Sequence, residues 1–104
     1  MDEIVVFINA SNEDEAVKIA RTLIEVRLVG CVNIIKDIRS IYSWQDKIED
    51  ETEVLMIIKT QKHLLNALVK KVKEIHSYTV PEIIALPITE GSEDYLKWLR
   101  EVTG

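Results

Sequence analysis

Apolar residues first gather without alternation in EIVVFI (residues 3–8), a β-branched run that predicts a buried strand. The period then changes. In SNEDEAVKIARTLIEVRLVG, Ala16, Ile19, Ala20 and Leu23 recur at the i, i+3, i+4, i+7 spacing of one buried helix face. Ser11, three residues ahead of Asp14, is placed to start that helix, acids fill its first turn, and Gly30 is placed for a left-handed C-terminal cap. From Val32 to Thr60 helical spacing disappears. VNIIKDIRSIYSW and KIEDETEVLMIIKT read as two strands around a turn at QDK (45–47). QKHLLNALVKKVKEIH returns to helical spacing, with Leu64, Leu68, Val72 and Ile75 on one face and Thr60 available as a cap. Its Lys70, Lys71 and Lys73 fall toward the C-terminal end, where cations suit the helix dipole. PEIIALPIT predicts a fourth strand, with Pro87 tolerated at an edge or an end, and SEDYLKWLREV a closing helix capped by Ser92.

The order β-α-β-β-α-β-α predicts one α+β domain over residues 1–104. Two βαβ halves joined by a hairpin give the ferredoxin-like βαββαβ(α) arrangement, an antiparallel sheet with helices packed on one face. The hairpin is overlong. Val32–Gln45 and Lys47–Thr60 are each 14 residues, and 14 extended residues reach roughly 46 Å. A domain of this size has a diameter of about 34 Å. A straight hairpin must therefore project, carrying Ile41, Tyr42, Trp44 and Ile48 out where a monomer exposes them. Lys36 and Asp37 leave a second option open, a bulge that folds the hairpin back over the sheet. Projection into a neighbouring subunit is the favoured reading.

Composition narrows the function. Hydrophobic residues at 47% and charged residues at 30% suit a soluble globular chain, and three Gly with two Pro leave little for a linker. The net charge of −5, with no opposing cluster of Lys and Arg, disfavours nucleic-acid binding. Asp2 and Glu3 directly after Met1 are the wrong start for a signal peptide, and no apolar run is long enough for a membrane span. A single cysteine, Cys31, excludes an intrachain disulfide and fits a reducing cytoplasm.

Candidate chemistry is sparse. Glu49, Glu51 and Glu53 alternate along one strand face and read as a solvated face that discourages edge pairing; successive carboxylates there fan out by about 7 Å instead of converging on a metal. His63 and His76 lie 13 residues apart on one predicted helix, a rotation of about 220° that sends them to different faces. Cys31 reads as a small buried hydrophobe, and no HxxxH or CxxC pair offers a structural zinc site. Ser77 beside His76 is no triad, and GxSxG, P-loop and GxGxxG patterns are absent. The loop NASNEDE after the first strand is acidic and lacks the arginine an acylphosphatase-like site would need. VLMIIKT lacks the aromatics of an RNA-stacking sheet. What remains is HSYTV (76–80), where His76 and Tyr78 stand at the joint between a helix and a strand.

Four segments together resemble the CutA family of divalent-cation tolerance proteins over nearly the whole chain. GCVNII (30–35) is similar to the family's Ala-Cys-x-Asn segment. IYSWQDKIEDETEVLMIIKT (41–60) is similar to its Tyr-x-Trp-x-Gly-x-Ile hairpin, with Glu53, Lys59 and Thr60 following. IHSYTVPEII (75–84) resembles its His-Pro-Tyr-x-x-Pro-Glu-Ile motif, and DYLKWL (94–99) its Tyr-x-x-Trp end. The resemblance implies a ferredoxin-like protomer in a homotrimer whose hairpin embraces the next subunit. It further implies binding of copper or other divalent metal ions, a role in metal tolerance, and no established catalytic reaction. It also implies kinship with trimeric PII signalling proteins, which hold small ligands between subunits.

Departures qualify what carries over. The family's hairpin glycine is Asp46 here, and the proline after its histidine is Ser77. Of the positions matching metal ligands suggested for some members, Ile8 and Ile75 cannot ligate, which leaves His76. Two functions follow. In one, His76 at the rim of an intersubunit cleft binds copper or another divalent cation weakly, completed by a neighbour's Glu49 or Asp50, with no metal required for folding. In the other, Tyr78, Trp44 and Tyr42 line a PII-like cleft for a small ligand or partner protein, the seam being formed by Ile41, Tyr42, Trp44 and Ile48.

Overall fold

A computed structural model describes residues 2–104, so Met1 lies outside the described residues. The chain runs β1 (Glu3–Ala10), α1 (Glu13–Glu25), β2 (Cys31–Trp44), β3 (Lys47–Gln61), a 3-10 turn (Lys62–Leu64), α2 (Leu65–Ile75), β4 (Ile83–Pro87) and α3 (Glu93–Val102). The four strands form one sheet in the order β2-β3-β1-β4, every pair antiparallel. This is the ferredoxin-like arrangement that the element order predicts. The crossover helices α1 and α2 cover one face. Val6, Ile8, Met56 and Ile58 from the strands meet Ile19, Leu23, Leu68 and Val72 from the helices in one fully buried core.

The ends of α1 differ from expectation on both sides. Asn12, not Ser11, is the N-cap: its extended backbone lets the side chain accept from Glu15 N–H at 2.8 Å. At the far end the helix stops at Glu25, five positions before Gly30. Leu28 N–H reaches Leu23 O and Arg27 N–H reaches Ile24 O, each at 3.0 Å, a Schellman closure with Arg27 in the left-handed region at φ 61. Arg27 offsets that strain by donating to the Gly104 and Glu101 carbonyls at the end of α3. Gly30 serves a different need. A Cβ there would stand 2.5 Å from Leu99 Cδ1, so its missing side chain lets α3 close against the start of β2. Gly30→Ala is expected to destabilise the fold by about 1–3 kcal/mol through this overlap; an unchanged urea midpoint would contradict it.

Helix α2 begins later than predicted. Thr60 is no cap but a fully buried strand residue whose hydroxyl donates to Leu28 O at 2.6 Å. Strand β3 continues one residue further because Gln61 pairs with Glu3 of β1. His63 consequently sits in the 3-10 turn and His76 just beyond α2, on different elements. Ser92 does cap α3, accepting from Tyr95 N–H at 3.5 Å.

The hairpin both bulges and projects. Register shifts between Ile35 and Ile38, where Asp37 takes φ 60. The strands nonetheless run on to a two-residue turn with Gln45 and Asp46 at φ 50 and 63, the signature of a type I′ hairpin. Asp46 thus occupies a position that glycine fills without strain. The domain measures 44 × 25 × 22 Å, and Ile41, Tyr42, Trp44 and Ile48 are all exposed, Ile48 at 82%.

The second sheet face is the surprise. Strand alternation turns Val5, Phe7, Leu55 and Ile57 away from the helices. Phe7 pairs with Ile57 on one side and Ile84 on the other, and Val5 pairs with Leu86. Ile84 and Leu86 are 53% and 50% exposed. Among the described residues α3 touches this face at one end, through Arg100–Glu3 (3.0 Å) and Gln61–Thr103 (2.8 Å), and the loop after α2 at the other, through Tyr78 and Glu53. A continuous apolar patch is left open across the central strands.

Candidate functional site: the cleft at the hairpin root

The loop after α2 is tied down by carboxylate and imidazole. Glu15, in the first turn of α1, accepts from Ser11 N–H (3.0 Å), Ser11 Oγ (2.9 Å) and Ser77 N–H (2.8 Å). Burial raises its pKa, yet the Ser11 and Ser77 hydrogen bonds outweigh that and hold it at about 2, against the usual 4.5. A depressed carboxylate stabilises the fold fully above its unfolded pKa and loses that contribution as pH falls through the folded one. Glu15→Gln should therefore cost about 2 kcal/mol at neutral pH. The gap to the parent should close between about pH 4.5 and pH 2. Urea melts of both proteins across that range check it; a gap independent of pH would contradict it.

His76 is not at the rim. Its side chain is fully buried, beneath the loop it begins. Nε2 meets the Asn9 carbonyl at 2.7 Å, and Nδ1 accepts from Tyr78 N–H at 3.0 Å. That pairing specifies a neutral ring protonated on Nε2, with both nitrogens engaged and no lone pair free for a metal. The expectation of a rim imidazole fails because Asn9, at the end of β1, offers a carbonyl that β3 does not take. Tyr78 stacks obliquely on the ring at 4.7 Å.

Tyr78 turns its hydroxyl onto Glu53 Oε2 at 2.5 Å, and burial, with this bond next, pushes the phenol well above its usual pKa. Glu53 is 4% exposed, so the expectation of a solvated Glu49-Glu51-Glu53 face is corrected at its inner end. Its other oxygen accepts from Asn9 Nδ2 at 3.5 Å, while Asn9 Oδ1 is buried without a partner. Further out, Tyr42 donates to Glu51 at 3.0 Å. That bond, then burial, then the charges of Glu51, Glu53 and Glu49 lift the Tyr42 phenol to about 12. Asp50 is on the other strand face, held by Arg39 in a bidentate pair at 2.7 and 2.9 Å. It does not stand beside Glu49.

These side chains enclose a cavity of about 650 Å³ at the hairpin root. Tyr42, Trp44 and Tyr78 all line it, together with Glu53, Asn9 and Glu82. Ile41 reaches it as well, whereas Ile48 and His76 do not. His76 acts one step behind, fixing Tyr78. Among the described residues no group of three or more His, Cys, Asp or Glu is gathered to hold a metal ion. Ile8 is buried in the core and Ile75 packs against it, so neither position offers a donor.

Cys31 departs from its expected role as a buried hydrophobe. It is half-buried, with Lys59 Nζ 3.9 Å from Sγ, and Lys59 also bonds Asn33. Sequence reasoning missed Glu53 and Asn9 as cavity residues. The signal for Asn9 was its position as the first polar residue ending the apolar run of β1.

Comparison with known proteins agrees with this architecture. Residues 4–102 match the family model described as CutA1 divalent ion tolerance protein. The chain is 49% identical over 102 residues to the divalent-cation tolerance protein CutA of Thermus thermophilus, covering 98% of this chain and 99% of that one. Human protein CutA is 50% identical over 97 residues, which are 93% of this chain and 54% of the human protein, so the chain spans about half of that relative. Among solved structures, the Thermus thermophilus protein superposes with a TM-score of 0.96. The CutA1 structure from Oryza sativa superposes with 0.97 at 42% identity, covering 100% of this chain and 95% of that one. No helix among the described residues is long and apolar enough to cross a membrane. Family match, whole-length identity and superposition agree: the chain belongs to the CutA1 divalent ion tolerance protein family.

Proposed function

We propose that the chain works as a cytoplasmic homotrimeric divalent-cation tolerance protein whose cleft at the hairpin root becomes an intersubunit site. The observation that carries this is the open apolar sheet face. Phe7, Ile57 and Ile84 form a row across three strands that no helix among the described residues covers, and such patches mark association surfaces. The projecting hairpin, with Ile41, Trp44 and Ile48 exposed, supplies the second contact. Trp44→Asp should weaken this assembly, though less than a charge at the sheet centre would.

Divalent metal, copper included, would bind weakly. His76 has both nitrogens engaged, and the oxygens in or beside the cleft are those of Glu53, Glu82 and Asn9, with Glu51 behind Tyr42. Oxygen donors suit a range of divalent ions, and copper(II) stands near the top of the affinity order. Calorimetric titration with copper(II) tests the site. Glu53→Gln, which still accepts from Tyr78, should bind copper more weakly while the oligomer persists. Undiminished binding in that variant would put the metal elsewhere.

A second reading is favoured by the cavity itself. Its volume of about 650 Å³ and its aromatic walls are those of a small-molecule site, as in a PII-like module. No reaction is assigned to it.

A further inference from the structure

The small-molecule reading leaves open which chemistry the cleft would accept, and its walls bear on that. Every charged side chain lining the cavity is a carboxylate, Glu53 and Glu82, and Glu51 stands just behind Tyr42. Among the described residues no lysine or arginine lines it. Glu53 is 4% exposed, and a carboxylate that buried strongly favours positive charge beside it. Two of the lining donors, the Tyr42 and Tyr78 hydroxyls, already point at Glu51 and Glu53. Among the described residues one buried side-chain acceptor has no partner: Asn9 Oδ1 receives no hydrogen bond. An unsatisfied buried acceptor costs about 1–3 kcal/mol unless something donates to it. Trp44 and the two tyrosines supply aromatic walls, and aromatic faces attract organic cations.

We propose that the cleft binds a small organic cation bearing N–H donors, an alkylammonium or alkylguanidinium. The charge is set against Glu53, an N–H is given to Asn9 Oδ1, and the alkyl portion lies against Trp44 and Tyr42. The inference rests on the reading of this cleft as a small-molecule site. It excludes anions, nucleotides among them, which would meet carboxylates with no cation to offset them. A bare metal ion is a poorer fit, since the tyrosine hydroxyls already occupy one oxygen each of Glu51 and Glu53. The same positive group could arrive on a free molecule or on a lysine of a second copy of the chain, and the free molecule is proposed because one chain by itself brings Glu53, Asn9, Trp44 and both tyrosines to the cavity, before any neighbour adds to it.

The test is calorimetry on the full chain with n-butylammonium, n-butyltrimethylammonium and n-butyrate, repeated on Glu53→Gln, with sedimentation confirming that the variant assembles as the parent does. n-Butylammonium should bind and butyrate should not. The trimethyl compound, with the same charge and tail but no N–H, should bind roughly tenfold more weakly, and Glu53→Gln should lose roughly tenfold in ammonium affinity. Equal affinity for the two cations, binding of butyrate, or an unaffected Glu53→Gln would each overturn the proposal. Absence of ammonium binding where Glu53→Gln still weakens copper would overturn the ligand class and leave the cleft as the site. If Glu53→Gln alters neither, both readings fail. If parent protein binds no ammonium and Glu53→Gln loosens the assembly, a neighbouring subunit's cation occupies the cleft and the free-ligand proposal is wrong.

Discussion

Phe7→Asp is expected to return the protein to single chains. Phe7 stands on the central strand of the uncovered sheet face, between Ile57 and Ile84. In an isolated chain an aspartate there would keep contact with water, so the fold itself should survive. In the proposed trimer it would be sealed into an apolar seam once per subunit, with no cation opposite. An unpaired buried charge costs about 3–5 kcal/mol, and each 1.4 kcal/mol is about tenfold in an equilibrium constant. Dissociation should therefore increase by roughly a hundredfold or more per contact. Thermal stability should fall with it, because subunit association adds to the stability of each core. Sedimentation of the variant checks the result. A Phe7→Asp protein that keeps the parent's mass would place the interface elsewhere.

His76→Ala should damage the fold much more than any metal affinity. The imidazole is buried and bridges Asn9 O to Tyr78 N–H. Its loss leaves an acceptor and a donor unpaired, each costing about 1–3 kcal/mol, and opens a cavity under Tyr78. A total near 3 kcal/mol is expected, lowering the melting temperature by about 12 °C or more for a domain of this size. Copper affinity, measured below the melt, should change little. The opposite pattern, unchanged melting with copper binding lost, would make His76 a ligand and contradict the hydrogen-bond geometry. Tyr78→Phe offers a milder comparison, since it strands only Glu53 in the cleft.

The element order and the hairpin were legible in the sequence because period and turn chemistry are local. Ala16, Ile19 and Leu23 could only be one helix face, and the run from Val32 to Thr60 had no helical spacing. Termini were less legible. Arg27 closes α1 in a left-handed conformation that a sequence assigns to glycine, and it can do so because the end of α3, 77 positions away, bonds its guanidinium. Gly30 was conspicuous for a different reason, the close approach of Leu99. The open sheet face leaves a trace in the sequence. EIVVFI and VLMIIK are apolar at consecutive positions, a pattern of strands covered on both faces, while the helices could cover only one.

The cleft was half legible. Tyr42, Trp44 and Tyr78 stand out as aromatics in polar segments, and all three reach the cavity. The role of His76 was not legible, because whether an imidazole faces solvent or a backbone carbonyl depends on where β1 ends relative to α2. Glu53 looked like its neighbours Glu49 and Glu51 along the strand. Its burial comes from the Tyr78 loop folding over it, a contact 25 positions apart in the chain.

The central claim, that the uncovered sheet face and the projecting hairpin assemble three chains around the cleft, is tested most directly by sedimentation equilibrium of the parent protein. The account predicts a single species of three times the 12.0 kDa chain, unchanged on dilution to the lowest measurable concentration. A stable species of one chain mass, with the apolar row of Phe7, Ile57 and Ile84 left to water, would contradict it.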